Sequence, residues 1–123
     1  QTVTFFNRME RGLIFANYID FDMLYGHRRD PEGYARCVEQ TDSFLSEFVP
    51  MLTEEDILIV TADHGNDPTF TGTDHTREYV PLLVYRKGQE SRNLGIRDGF
   101  FDVAQSIVTA FGLEPMPRGR SFL

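Results

Sequence analysis

The chemistry in this chain is concentrated in its histidines and the aspartates beside them. There are only three histidines in 123 residues. Two fall in one window, Asp63-His64 and Asp74-His75. The third closes a second cluster, Asp20-Phe21-Asp22-Met23-Leu24-Tyr25-Gly26-His27-Arg28-Arg29-Asp30. Carboxylate oxygens and imidazole nitrogens together suit Zn²⁺, Mn²⁺ or Fe²⁺, whereas an all-oxygen set favours Mg²⁺ or Ca²⁺. A single Asp-His pair in a loop is ordinarily just hydrogen-bonded. Three histidines gathered in two such clusters, with none left elsewhere, point instead to metal binding. Asp20 and Asp22 are both candidates, because side chains two apart in an extended strand share a side. Gly26 and Gly65 flank the histidines and permit tight backbone or close approach of a ligand. Arg28, Arg29 and Arg77 stand beside them. Each can bind phosphate through its planar fork, or simply pair with Asp30 or Glu78 on the surface. Thr61, Thr71, Thr73 and Thr76 carry hydroxyls, but none lies in a nucleophile motif, and turn or strand roles are expected. The carboxylates of Asp67, Asp74 and Glu78 are expected to hold the histidine tautomers from behind.

Elements must bring these side chains together. Leu13–Ile19 is a nearly continuous apolar run and reads as a strand buried on both faces, delivering Asp20 and Asp22 at its end. A second apolar strand, Ile57–Thr61, leads into Asp63-His64. Between them, Pro31–Leu52 reads as an amphipathic helix, with Asp30 as cap, Pro31 in the first turn and Pro50 near the end. Its apolar stripe is Tyr34, Cys37, Val38, Thr41, Leu45, Phe48, Val49 and Leu52. Asp63–Tyr79 is a long loop, of a size that usually has a function. Val80–Tyr85 is a third short strand, with Pro81 near its start or on an edge. Thr2–Arg11 has helical spacing. Asp98 is expected to cap a last helix with the stripe Phe101, Ala104, Ile107, Val108 and Phe111, stopped by Gly112. This alternation predicts an α/β layer with a largely parallel sheet, in which ligands bind beyond the carboxyl ends of the strands. Both Asp/His clusters stand there.

Composition narrows the function. The net charge is −7 and the basic residues are scattered, which argues against a nucleic-acid or anionic-membrane partner and is compatible with bound cations. The single cysteine, Cys37, excludes an internal disulfide and fits a reducing compartment. It falls on the helix stripe and is expected in the core. No run approaches the ~20 apolar residues of a membrane span, and no signal peptide is visible. Beginning at Gln1, the chain reads as either a processed protein or a piece of a longer one.

At these residues the sequence resembles the C-terminal part of the bacterial phosphopentomutase family, within the alkaline phosphatase superfamily. The likeness runs along essentially the whole chain. It is carried by Asp20–Asp30, Thr61-Ala62-Asp63-His64-Gly65-Asn66-Asp67 and Gly72-Thr73-Asp74-His75-Thr76-Arg77-Glu78. The Ala-Asp-His-Gly element is common to the superfamily and occurs in cofactor-independent phosphoglycerate mutases. Their upstream motif is similar to Asp-Met-Val-Gly-His, one residue shorter between Asp and His than Asp22 to His27.

The resemblance implies an isomerase that interconverts ribose or deoxyribose 1-phosphate with the 5-phosphate, using two Mn²⁺ ions and a phosphothreonine. It implies that Asp63 and His64 are ligands of one ion and that Asp22, His27 and His75 are ligands of the other. Residues 1–123 would be a single C-terminal portion of the metal-binding core domain. The nucleophilic threonine, a further aspartate ligand, the rest of the core and the cap domain would lie upstream. The chain alone is then expected to be inactive, to hold metal incompletely, to be cytoplasmic and to self-associate through an open sheet edge or apolar face. The competing readings are another enzyme of the superfamily, a phosphoglycerate mutase or a phosphatase, and a non-catalytic module whose Asp/His clusters are structural.

Overall fold

A computed structural model describes all residues, Gln1–Leu123. They form two compact units, residues 1–89 and 90–123.

The first unit is built along one helix. α2, Pro31–Phe48, begins as expected: Asp30 is the N-cap and its carboxylate accepts a hydrogen bond from the Gly33 amide at 2.8 Å. Pro50 cannot continue the ladder, and the chain tightens into a 3₁₀ turn at Val49–Met51. Aromatic rings line the buried side of α2. Phe44 stacks on Phe48 at 5.4 Å, Phe6 meets Phe48 edge-on at 5.2 Å, and Phe21 meets Tyr34 edge-on at 5.3 Å. Offset and edge-on pairs of this kind contribute about 0.5–1.5 kcal/mol each beyond their burial. Phe48 and Leu52 are the buried apolar residues of this unit. Val38, placed on the stripe by its spacing, is instead half exposed. Phe6 comes from α1, Thr2–Phe6, a single turn where the sequence suggested a helix to Arg11. Five residues are too few to extend without packing of their own.

The strand expected at Leu13–Ile19 does not form. Residues 12–18 make no backbone–backbone hydrogen bond, and Phe15 is 87% exposed. Apolar, β-prone sequence becomes a strand only where a neighbour completes its ladder, and here none is alongside. The sheet therefore has two strands, β1 (Leu58–Thr61) and β2 (Leu82–Tyr85), running antiparallel from Leu58 opposite Tyr85 to Thr61 opposite Leu82. The connection dictates this direction: residues 62–81 contain no helix to carry the chain back for a parallel return. A parallel pair needed Leu13–Ile19 beside β1, with α2 as the crossover. The class remains α/β, with the parallel neighbours unformed within these residues.

The second unit is α3, Phe101–Phe111, and the tail that returns along it. Asp98 does not cap α3; the N-cap is Phe100, with no side-chain bond. The other end is as the sequence indicates. Gly112 takes φ 66°, its amide donates to the Thr109 carbonyl and that of Leu113 to Val108, a Schellman stop. The apolar stripe is only partly covered, and the buried face of α3 is polar: Asp102, Gln105 and Ser106. Each holds the tail. Asp102 accepts from the Arg120 amide at 2.8 Å, Gln105 from that of Met116 at 2.9 Å, and the Ser106 hydroxyl from that of Phe122 at 3.0 Å.

Candidate metal centre

The first half of the site comes from a wide helical turn. Phe21–Gly26 is a π-helix, closed by a hydrogen bond from the His27 amide to the Asp22 carbonyl at 2.9 Å. In an α-helix, residues five apart point about 140° away from each other. The i→i+5 ladder of the π turn brings them to one side. Asp22 and His27 thus face each other, with His27 Nε2 3.4 Å from Asp22 Oδ2. Asp20, at the N-cap of this turn, is exposed.

The second half comes from the loop between β1 and β2. It folds back on itself at an isolated bridge between Gly65 and Thr76, where the Thr76 amide donates to the Gly65 carbonyl at 3.1 Å. A Cβ on Gly65 would stand 2.7 Å from the Thr76 carbonyl oxygen, so this glycine serves backbone approach within the loop. The bridge brings His75 over His64, with ring centroids 3.8 Å apart and nearly parallel.

The two halves meet. His75 Nε2 lies 3.3 Å from Asp22 Oδ1 and 3.1 Å from His27 Nε2. Ligand atoms of Asp22, His64 and His75 all lie within 4.8 Å of one another. Two imidazole nitrogens 3.1 Å apart either share a proton or present both lone pairs to a cation. The surroundings favour the second arrangement at His27. Its Nδ1 lies 2.5 Å from the Thr73 carbonyl, which only an N–H can satisfy, so in the neutral ring the proton sits on Nδ1 and Nε2 turns its lone pair to the cluster. This mixed N/O donor set fits a divalent transition metal. Asp63 is more peripheral: its carboxylate is 80% exposed and 3.7 Å from His64 Nε2.

Burial alone would raise the Asp22 carboxyl. The hydrogen bond from Asn66 and the adjacent His27, His75 and His64 outweigh it and hold the group below its ordinary 3.8. Asp22 is therefore ionised and available as a ligand at neutral pH.

The carboxylates expected behind the histidines do not hold them. His27 is held by the Thr73 carbonyl, and His64 Nδ1 contacts the Gly65 carbonyl at 3.3 Å. The Asp67 carboxylate instead accepts from the amide and hydroxyl of Thr69, at 2.8 and 2.7 Å, forming a tight turn. Arg29 is drawn into the loop, and Asp30 pairs loosely with Arg36 at 3.9 Å. Arg28 and Arg77 are exposed and make no hydrogen bond or ion pair. Cys37 lies half-buried on α2, and burial raises its thiol, which keeps it protonated and inert. Asn66, which donates to Asp22 at 2.7 Å, had no sequence signal beyond its place after His64-Gly65. A cleft of about 300 Å³ opens beside the cluster, lined by Tyr34, His64, Asn66, Asp67, Glu78 and Tyr79 among others.

Comparison with known families agrees with this geometry. Residues 1–115 match the family described as the metalloenzyme superfamily. The chain belongs to that superfamily. Among individual proteins it is similar to the phosphopentomutase of Shewanella loihica, 55% identical over 114 residues covering 93% of this chain. It is likewise similar to the phosphopentomutases of Caldanaerobacter subterraneus (52% over 123 residues, 99% of the chain) and Desulfitobacterium hafniense (53% over 124 residues, 100% of the chain). The chain spans 28–32% of the length of these relatives. As a member of this superfamily it is expected to carry metal, and the residues gathered around Asp22 fit that role. No helix of the chain is long and apolar enough to cross a membrane.

Proposed function

We propose that residues 1–123 are a C-terminal portion of the metal-binding core of a cytoplasmic phosphopentomutase, which interconverts ribose or deoxyribose 1-phosphate with the corresponding 5-phosphate. The observation that carries this reading is the convergence of Asp22, His27, His64 and His75, in a chain that aligns almost end to end with phosphopentomutases.

In this reading Asp22, His27 and His75 hold one Mn²⁺, and Asp63 and His64 contribute to a second. The ions supply Lewis-acid stabilisation of charge on the transferring phosphoryl group. The chain's own side chains have three tasks. Asp22 brings the negative charge that balances a cation. The Thr73 carbonyl keeps the His27 proton on Nδ1 and frees Nε2 for ligation. Arg28 and Arg77, unengaged and near the cluster in sequence, offer guanidinium forks to the sugar phosphate. The phosphorylated threonine and the domain that selects the sugar lie outside these residues, so the metal half-site is present without the nucleophile.

The test is an assay of the complete translated gene product on ribose 1-phosphate and 3-phosphoglycerate, with Mn²⁺. Turnover of the pentose phosphate alone is expected. In Asp22→Ala and His75→Ala variants a loss of 10²-fold or more in kcat is expected, in line with removing about 3 kcal/mol of transition-state stabilisation. The 123-residue chain assayed alone should show no turnover. Activity on the glycerate phosphate, or full pentose activity in Asp22→Ala, would overturn the reading.

A further inference from the structure

One set of contacts joins the two halves of the site without touching any imidazole, and it starts at Arg29. This residue has φ 53°, a left-handed backbone uncommon outside glycine. Two residues past His27, it turns its side chain into the Asn66–Asp74 segment. Its terminal nitrogens donate to Asn66 Oδ1 at 2.9 Å, to the Asp67 carbonyl at 2.6 Å and to the Asp74 carbonyl at 2.6 Å, and its Nε donates to the Gly72 carbonyl. Four of the five guanidinium N–H groups are thereby engaged. That leaves little for a phosphate, the role its position in the sequence suggested.

The bond to Asn66 has a consequence for Asp22. A guanidinium only donates, so it must face the amide oxygen of Asn66. The amide nitrogen is thereby turned to Asp22 and donates to Oδ1 at 2.7 Å. The amide lies against Gly26, which is buried. A Cβ there would come within 2.5 Å of Asn66 Nδ2 and 2.9 Å of the Phe21 carbonyl oxygen. Only glycine leaves room for this amide. Meanwhile the carbonyls of Gly72 and Asp74, gripped by the same guanidinium, flank Thr73, which holds His27, and precede His75.

We propose that Arg29 and Asn66 are positioning residues of the metal centre: Arg29 fixes the Asn66 amide, the amide fixes the Asp22 carboxylate, and the same guanidinium holds the loop that carries His75. This rests on the reading of the Asp22 cluster as a metal site. The alternative is that these bonds only stitch a loop and leave the ligands unaffected.

Mn²⁺ titration by calorimetry and the electron paramagnetic resonance spectrum of bound Mn²⁺ separate the two, measured on the complete gene product well below its metal-free melting temperature. Asn66→Ala and Arg29→Lys are expected to weaken Mn²⁺ binding about 10–100-fold and to broaden the spectrum, because outer partners of metal ligands carry effects of that size. The double variant should bind little worse than the weaker-binding single one, since both act through one carboxylate. Should Asn66→Ala fail to fold, Asn66→Leu removes the donor at nearly constant shape without adding a charge and is expected to weaken binding as well. Wild-type affinity and spectrum in Asn66→Leu and Arg29→Lys, with binding lost in Asp22→Ala, would overturn the relay while leaving the metal site standing. Wild-type binding in Asp22→Ala would overturn the metal site itself.

Discussion

At the scale of single residues, the site depends on groups with quite different visibility in the sequence. The histidines announce themselves by type and clustering; Asp22 shares that signal with Asp20 and is singled out only by the family resemblance. The groups that hold them do not. Asn66 is one polar residue among several, and the Thr73 carbonyl belongs to the backbone, which any residue type carries. Gly26 was legible as a special position, but its reason is steric: the Asn66 amide occupies the space of its missing side chain. Gly26→Ala should therefore destabilise the first unit by about 1–3 kcal/mol, the usual cost of forcing atoms into filled space. Denaturant unfolding measures it, and an unchanged midpoint would mean that Asn66 moves aside freely. Asp67 makes a separate prediction. The Thr69 amide first, then its hydroxyl, lowers the Asp67 carboxyl below 3.8 against a small opposing effect of burial. A carboxyl lowered in the folded state stabilises it above the ordinary carboxylate value, and this contribution is lost as pH falls through the lowered value. Protection of the Thr69 amide from exchange should thus hold at neutral pH and fall only in acid below about pH 3.8. Asp67→Asn should flatten that acid dependence. Loss of protection near neutrality would refute the assignment.

At the scale of elements, the signals that read well are those written in local chemistry. The Asp30 cap, the Pro31 start, the Pro50 break and the Gly112 stop all stand where the sequence put them, because each acts on its own backbone. The π turn at Phe21–Gly26 was not legible, since hydrophobic periodicity distinguishes periods near two and 3.6 and has no template for one wide turn. Leu13–Ile19 failed for another reason: a strand is a property of a pair, and the chain holds only one side. α3 shows a third kind of blind spot. Its apolar stripe was found, yet the face that matters within its unit is polar. Asp102, Gln105 and Ser106 follow no hydrophobic pattern, and they bind a tail with no pattern either. Ser106 is the most enclosed of them, fully buried, donating to the Asp102 carbonyl at 2.7 Å and accepting from the Phe122 amide. Ser106→Ala would leave that amide buried without a partner, a cost of about 1–3 kcal/mol. The Phe122 amide should then exchange faster while the α3 amides keep their protection. Equal loosening of helix and tail would show that the serine holds α3 itself, not the tail.

At the scale of the whole molecule, the main feature is apolar surface that the chain does not cover. Within the first unit Phe5, Met9, Leu13, Phe15, Tyr18, Ile19, Met23 and Leu24 are all exposed, a run far beyond the scattered apolar residues of an ordinary surface. Residues 13–18 also make no backbone–backbone hydrogen bond, and β1 and β2 have each only one neighbour. Apolar side chains next to unsatisfied strand edges are a template for pairing with another chain. Net charge of −7 opposes association at long range, but at physiological salt it is screened beyond about 8 Å and does not protect a contact surface. The chain produced alone is therefore expected to self-associate. Its sedimentation should shift to larger species as concentration rises from micromolar to hundreds of micromolar, and a dye that fluoresces on apolar surface should bind it. Replacing two exposed members of the run with charges, Phe15→Asp and Ile19→Lys, should suppress both. Inward-facing or edge charges act in this way on natural strand edges, and the variant removes no contact on which the Asp22 cluster depends. Mn²⁺ affinity should accordingly be unchanged in the variant. If sedimentation shows one monomeric species at every concentration, the exposed run is stable in water by itself. If the charged variant associates as strongly as the parent, the contact lies elsewhere on the chain.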